Sequence, residues 1–222
     1  RVDEWTAGLA LSRSGDRSTS LVMNCNPFTR GHRYLVEQAS AKAASEGEDV
    51  HLFVVYEDRS LFPRKVRFQL VQNGTADLPN VHVHSGGPYI ISSATFPTYF
   101  IRDAGEATRI HAGLDLHIYG SRIAPALGIT RRMVGQEPYC PVTRAYNRAM
   151  REILPHYGVE VEEIPRLEIG DQAVSASVVR DMIRADRLEE VRELVPETTW
   201  EYLSSPSAAP VLERILREDR RH

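Results

Sequence analysis

Leu21-Val22-Met23-Asn24-Cys25-Asn26-Pro27-Phe28-Thr29-Arg30-Gly31-His32-Arg33-Tyr34-Leu35 is the stretch that decides the fold. Residues 19–23 form a short β-branched and apolar run, the pattern of a buried strand. Residues 24–31 are a turn-rich loop containing Pro27. From His32 the apolar spacing changes to Leu35, Val36 and Ala39, which suits a helix. Strand, polar loop and helix in that order bring free backbone N–H groups and a positive dipole end to one place. The loop also carries Thr29, Gly31 and His32. A hydroxyl and an imidazole three residues apart, with a glycine allowing close backbone approach, suit a polyphosphate.

Outward from this stretch, strands and helices alternate. The nearly continuous apolar run 50–56 reads as a parallel strand covered on both faces. A charged loop, 57–63, separates it from a helix over 64–75, and 81–84 is a third strand. Further strands are expected at 131–135 and 159–164, with helices at 112–127, 142–154, 175–185, 188–194 and 198–203. Residues 1–17 read as a helix end and linker, 204–210 as a linker, and 211–221 as a charged, solvated helix. This alternation implies an α/β fold with a doubly wound parallel sheet of five strands. Ligands bind such sheets beyond the carboxyl ends of the strands. The loops that matter are therefore 24–31, 57–63, 85–91 and 135–140. Neither GxGxxG nor GxxxxGK followed by Ser or Thr is present, which disfavours a dinucleotide dehydrogenase and a P-loop ATPase.

The bulk composition narrows the classes. A chain of 222 residues can bury a real core in one large domain. Its 27 Lys+Arg against 30 Asp+Glu leave a formal net charge of −3, so no global basic field argues for nucleic acid or an anionic membrane. Only Lys42 and Lys65 are lysines, so arginine clusters carry less functional information than usual. Cys25 and Cys140 lie outside any CxxC spacing and read as reduced thiols of a cytoplasmic protein. No run approaches a membrane span and no signal peptide is evident; Arg1 rather than Met at the start reads as a trimmed or partial chain.

Two stretches carry a resemblance. Asn26-Pro27-Phe28-Thr29-Arg30-Gly31-His32 resembles the phosphate loop of the nucleotidyltransferase superfamily, whose pattern is (H/T)-x-G-H after a first strand. Val174-Ser175-Ala176-Ser177-Val178-Val179-Arg180 resembles its second motif, I-S-S-(S/T)-x-x-R, at the start of a late helix. Further stretches, among them Tyr89-Ile90-Ile91-Ser92, Ile123-Ala124-Pro125-Ala126-Leu127-Gly128 and Glu163-Ile164-Pro165-Arg166-Leu167, are similar to the citrate (pro-3S)-lyase ligase family over residues 18–203. That resemblance implies a Rossmann-like nucleotidyltransferase domain over 18–203, and an N-terminal acetyltransferase-like domain for which this chain has no room. It implies ATP-dependent activation of acetate to acetyl-adenylate and pyrophosphate. The acetyl group then goes to the thiol of the phosphoribosyl-dephospho-CoA arm on the acyl carrier subunit of citrate lyase. Thr29, His32 and Arg180 become the catalytic candidates. Asn24, Cys25, Asn26, Pro27, Phe28, Gly31, Arg59, Gly135, Glu137, Ser175 and Ser177 become the nucleotide-binding candidates. Mg²⁺ would ride on phosphate oxygens and need few protein ligands. Tyr56 stands where the compared ligases often have Lys, and Arg59 is the substitute cation.

Each of these residues has a plainer reading. His32 and Thr29 can cap a helix, Arg180 can pair with a surface acid, and Glu137 can be a turn acid. His51, His82, His84 and His111 read as structural or solvated; His82 and His84 share a strand face but lack a third metal ligand. Ser92, Thr95 and Tyr99 either line an acyl pocket or cap locally. Arg30, Arg33, Arg64 and Arg67 are the residues expected to meet an acidic carrier protein. The rival functions are transfer of AMP or CMP to a phosphate or phosphonate acceptor, and a non-catalytic subunit that keeps the fold. The sequence leaves the oligomeric state open.

Overall fold

The computed structural model describes residues 2–101, 105–170 and 172–218. In chain order the elements are α1 (Val2–Ala10), β1 (Ser18–Met23), α2 (Arg30–Ser45), β2 (Asp49–Val54), α3 (Arg64–Gly74), β3 (Val81–Ser85), α4 (Thr98–Ile101), α5 (Glu106–Ile118) and α6 (Ala124–Leu127). They continue with β4 (Ile129–Gly135), α7 (Pro141–Ile153), β5 (Glu160–Ile164), the short β6 (Glu168–Ile169) and β7 (Gln172–Ala173), α8 (Ala176–Arg184), α9 (Glu197–Leu203) and α10 (Ala209–Glu218).

Five parallel strands pair in the order β3-β2-β1-β4-β5. Side chains alternate along each strand, so the sheet builds one core on each face. Leu21 and Met23 of β1 lie opposite Leu52 and Val54 of β2 and pack under α2, α3, α8, α9 and α10. Leu21 and Leu52 are both fully buried, and each contributes about 2 kcal/mol by leaving water. Phe53 and Val55 point the other way, into a second core with α5, α6 and α7. The chain leaves β1 toward β2 on one side and comes back to β4 on the other. That strand order opens a crevice beyond the carboxyl ends of β1 and β4, at the topological switch point.

The expected strands all form, and two helical readings change. The helix read over 112–127 begins earlier, at Glu106, and passes through a π-helical turn, Tyr119–Ile123, before α6. Gly120 in that turn abuts the Tyr157 ring so closely that a Cβ there would collide with it. The helix read over 188–194 is a 3₁₀ segment, Glu189–Glu193. The charged end helix is amphipathic: Val211 and Ile215 of α10 are buried against α8, while its charged face is solvated. Residues 219–221 of that reading lie outside the described residues. Among the described residues no helix is long and apolar enough to cross a membrane.

Candidate active site

The loop after β1 is fastened from below by Arg67, a residue of α3 with no exposed surface. Its Nη1 donates to Asn24 O (2.9 Å), Asn24 Oδ1 (3.0 Å) and Val55 O (2.8 Å). Its Nη2 donates to Glu57 O (2.6 Å), and its Nε to Phe62 O (3.0 Å). One guanidinium thereby satisfies carbonyls from the β1 and β2 loops together. Burial lowers its pKa. Arg67 is therefore unavailable to a partner protein, contrary to expectation. The Asn24 side chain is used in the same knot, sharing two bonds with Ser60, and Asn26 Oδ1 accepts from Phe62 N–H at 2.9 Å.

Above this knot, Thr29 caps α2. It is fully buried, and His32 N–H donates to its Oγ1 at 3.4 Å. The cap is reciprocal, because Thr29 N–H donates to His32 Nδ1 at 3.1 Å, with Thr29 Oγ1 2.9 Å from the same nitrogen. This is a capping box with histidine in the place usually taken by Glu or Gln. Since Nδ1 is an acceptor, the neutral ring carries its proton on Nε2. Burial, reinforced by the nearby charges of Arg166 and Arg180, pushes the His32 pKa down to about 4. At neutral pH His32 is thus a neutral N–H donor. The capping reading and the donor reading are compatible: the cap fixes the ring.

Gly31 serves a contact that spacing alone does not reveal. A Cβ there would lie 2.6 Å from the carbonyl oxygen of Val174. The glycine lets the second motif lie against the start of α2. Ser175 then caps α8, accepting from Val178 N–H at 3.2 Å. Arg180, one turn on, donates from Nη1 to Asn26 O (2.5 Å) and from Nη2 to Ser177 Oγ (3.3 Å). The two motifs, about 150 residues apart in sequence, share one hydrogen-bonded seam.

The other candidates divide. Gly135 ends β4 beside the crevice, its carbonyl accepting from Asn147 Nδ2 at 3.1 Å. Glu137 braces its own loop: Oε1 accepts from Tyr139 N–H and Cys140 N–H, and Oε2 from Arg166 Nη2 at 2.5 Å. Phe28 is fully buried against Gly74, and the Cys25 thiol is buried with its pKa raised by that burial, so only their backbones can face a ligand. Pro27 is buried too, and Arg59 is exposed in the β2 loop. Ser92 caps locally, its Oγ accepting from Ala94 N–H and Thr95 N–H. Arg33 is tied to Glu37, Asp77 and Gly74 O, whereas Arg64 lies 4.1 Å over the exposed Tyr56 ring. Arg166 was not among the expected residues. It follows the last long strand, donates to Gln136 O at 2.6 Å, and its charge bears on His32. Its place just beyond a strand end was the available signal.

Among the described residues no group of three His, Cys, Asp or Glu could hold a metal ion. Donors gather there instead: Thr29 caps the start of α2, Ser175 that of α8, and Arg166 and Arg180 lie near enough to His32 for their charges to bear on it. Donors of this kind suit a polyanion.

The fold and this site define a nucleotidyltransferase-like α/β protein. Solved structures share the fold. A Thermotoga maritima TmcAL bound with alpha-thio ATP matches with a TM-score of 0.51 at 15% identity, over 92% of this chain and 57% of that one. A macrolide-efflux protein from Streptococcus pneumoniae gives 0.53 at 11% identity, over 82% and 57%. The family is narrower than the fold. Residues 18–203 match the model of the citrate lyase ligase C-terminal domain, and the chain belongs to that family. It is 43% identical over 208 residues to a [citrate [pro-3S]-lyase] ligase of Klebsiella pneumoniae, covering 91% of this chain and 60% of that protein. The Escherichia coli protein of that name is 44% identical over 86% of this chain and 54% of its own length; the Haemophilus influenzae one is 44% identical over 85% and 57%. The chain thus spans 54–60% of the length of these curated relatives.

Proposed function

We propose that this chain catalyses the ATP-dependent activation of acetate for citrate lyase. A carboxylate oxygen of acetate attacks the α-phosphorus of ATP, giving acetyl-adenylate and releasing pyrophosphate. The thiol of the phosphoribosyl-dephospho-CoA arm on the acyl carrier subunit then attacks the acetyl carbon, AMP leaves, and the thiol proton passes to solvent. The observation that carries this reading is the seam joining the two motifs, Arg180 on Asn26 O and Gly31 against Val174, in a member of this family.

In-line attack crowds negative charge at one phosphorus, so catalysis here is positioning plus donors aimed at that charge. The amide N–H groups at the start of α2, His32 Nε2–H, Arg166 and Arg180 supply them; Ser175 and Ser177 sit where they can add hydroxyls. Thr29 acts by holding the His32 ring and presenting the first turn of α2. Mg²⁺ accompanying the nucleotide would draw its ligands from phosphate oxygens and water, neutralising charge on the leaving pyrophosphate. A cytoplasmic location is part of this proposal, and two free thiols support it.

Acetate-dependent exchange of labelled pyrophosphate into ATP tests the reading. His32→Ala should lower that exchange by about 100- to 1,000-fold, the usual loss for one donor to a developing oxyanion. No exchange with acetate, together with nucleotidyl transfer to a phosphorylated acceptor, would overturn it.

A further inference from the structure

The sequence leaves Glu137 as a nucleotide contact or a turn acid, and its surroundings offer a third role. β4 and β5 end side by side, and Gln136 N–H donates to Ile164 O at 2.9 Å, one residue beyond the last of β4. The two segments then part, one toward Glu137 and the other toward Arg166. The Arg166 side chain spans the gap. Its Nε donates to Gln136 O at 2.6 Å and its Nη2 to Glu137 Oε2 at 2.5 Å. A side chain that follows β5 is thereby held against the residues that follow β4. β4 itself ends against α2, because a Cβ on Gly135 would lie 3.8 Å from Leu35 Cδ2, and Leu35 is one turn past His32. From this position the Arg166 charge bears on His32.

Glu137 is placed to hold. Its side chain is only 12% exposed. Oε1 accepts from Tyr139 N–H at 2.9 Å and from Cys140 N–H at 3.1 Å, which fixes the carboxylate at the start of α7. An acid that only closed its own turn would need those two bonds alone. Oε2 adds a charge-assisted bond to a different loop, the stronger kind.

Arg166, by contrast, is only partly used. Nε and Nη2 are occupied, while Nη1 makes no hydrogen bond among the described residues, and the side chain is 23% exposed. A loose arginine samples many rotamers, and two fixed acceptors select one of them. An anion that reaches this guanidinium meets it already placed, so little side-chain freedom remains to be lost on binding.

We propose that Glu137 is the positioning residue for Arg166: it does not touch the nucleotide, but holds the guanidinium so that Nη1 meets a phosphate of ATP. This rests on the reading of the chain as an ATP-using, acid-activating enzyme. The carboxylate offsets part of the attraction between Arg166 and phosphate, and in return gives the remainder a fixed direction.

A double-mutant cycle tests this, read by acetate-dependent pyrophosphate exchange and by ATP affinity in calorimetry. Arg166→Gln should lower kcat for exchange by about 100-fold and weaken ATP by about tenfold, as for one lost donor. Glu137→Gln keeps the side-chain size and an oxygen for the Tyr139 and Cys140 amides, but not the charge toward Arg166. It should lower kcat by about tenfold, since small misplacements of a donor are costly. The KM for acetate should stay within about twofold in both, whereas loss of structure would raise it together with that for ATP. The double variant should be no worse than Arg166→Gln, because residues acting through one contact are not additive. Losses that multiply, or an acetate KM that rises in step with that for ATP, overturn the assignment. If Glu137→Gln does not fold, Arg166→Lys decides. It keeps the charge without the fork that reaches both Gln136 O and Glu137, and should lose about tenfold in kcat; wild-type kcat would overturn the proposal. A wild-type chain that binds ATP but shows no exchange with acetate overturns the acid-activation reading alone. The cycle is then read in ATP affinity, where non-additive losses uphold the role of Glu137 and additive ones remove it. A wild-type chain that binds no ATP overturns both.

Discussion

Arg67 shows what one residue contributes to the site. Its guanidinium satisfies carbonyls of Asn24, Val55, Glu57 and Phe62, all near the carboxyl ends of β1 and β2. Arg67→Met would leave those acceptors buried and unpaired, and should destabilise the fold by about 3–5 kcal/mol. Urea denaturation measures this; a loss below about 1 kcal/mol would mean that water replaces the guanidinium without penalty. His32 gives a second expectation. With a pKa pushed down to about 4, it stays neutral from pH 5.5 upward. Activity should therefore show no limb near pH 6.5 that vanishes in His32→Ala; such a limb, followed by kcat against pH, contradicts the donor role. Thr29 and His32 were legible because a cap has a local spacing. Arg67 and Arg166 were not. Their partners lie in other elements, and in a chain with so many arginines a single Arg stands out only once the fold is known.

At the scale of elements, the junction of α2 with the strand end before α8 governs the site. Gly31→Ala places a Cβ 2.6 Å from the Val174 carbonyl, which belongs to backbone and cannot swing away. The helices must part, at about 1–3 kcal/mol. Arg180 should then lose its hold on Asn26 O, and the KM for ATP should rise. Thermal melting and ATP titration check this together; wild-type values for both would show that the seam is slack. Strand positions were readable because buried parallel strands are short apolar runs. The 106–127 helix was read six residues short because Glu106, Arg109 and Ile110 begin it with exposed residues and its π turn shifts the apolar period. The end helix was read as solvated because Val211 and Ile215 are a sparse stripe among charges, and only α8 supplies the surface that buries them.

The whole molecule should be sensitive to acid. Burial pushes His32, His51 and His84 each down to about 4, with neighbouring positive charges adding to the effect. Once unfolded, each would protonate near 6.5. Between those values the unfolded chain binds more protons, so stability is complete above pH 6.5 and is lost as pH falls toward 4. The urea midpoint should drop across that window, with a combined loss on the order of several kcal/mol. His51→Gln with His84→Gln should flatten the slope; a midpoint constant from pH 7 to 4.5 contradicts it. The strand order, too, belongs to this scale. Sequence pattern predicts parallel strands, but which pair borders the crevice is fixed only by how all five pack. The two cysteines, described above only as neighbours of the site, have a practical consequence at this scale. Cys25 lies at φ 54° with its thiol sealed in the core, while Cys140 is only partly buried and its amide is hydrogen-bonded to Glu137. The native chain should thus accept a single equivalent of a maleimide dye and two in denaturant, as mass spectrometry would count. Without any mutation, that dye becomes a fluorescent reporter at the crevice mouth, brightening or dimming as nucleotide arrives.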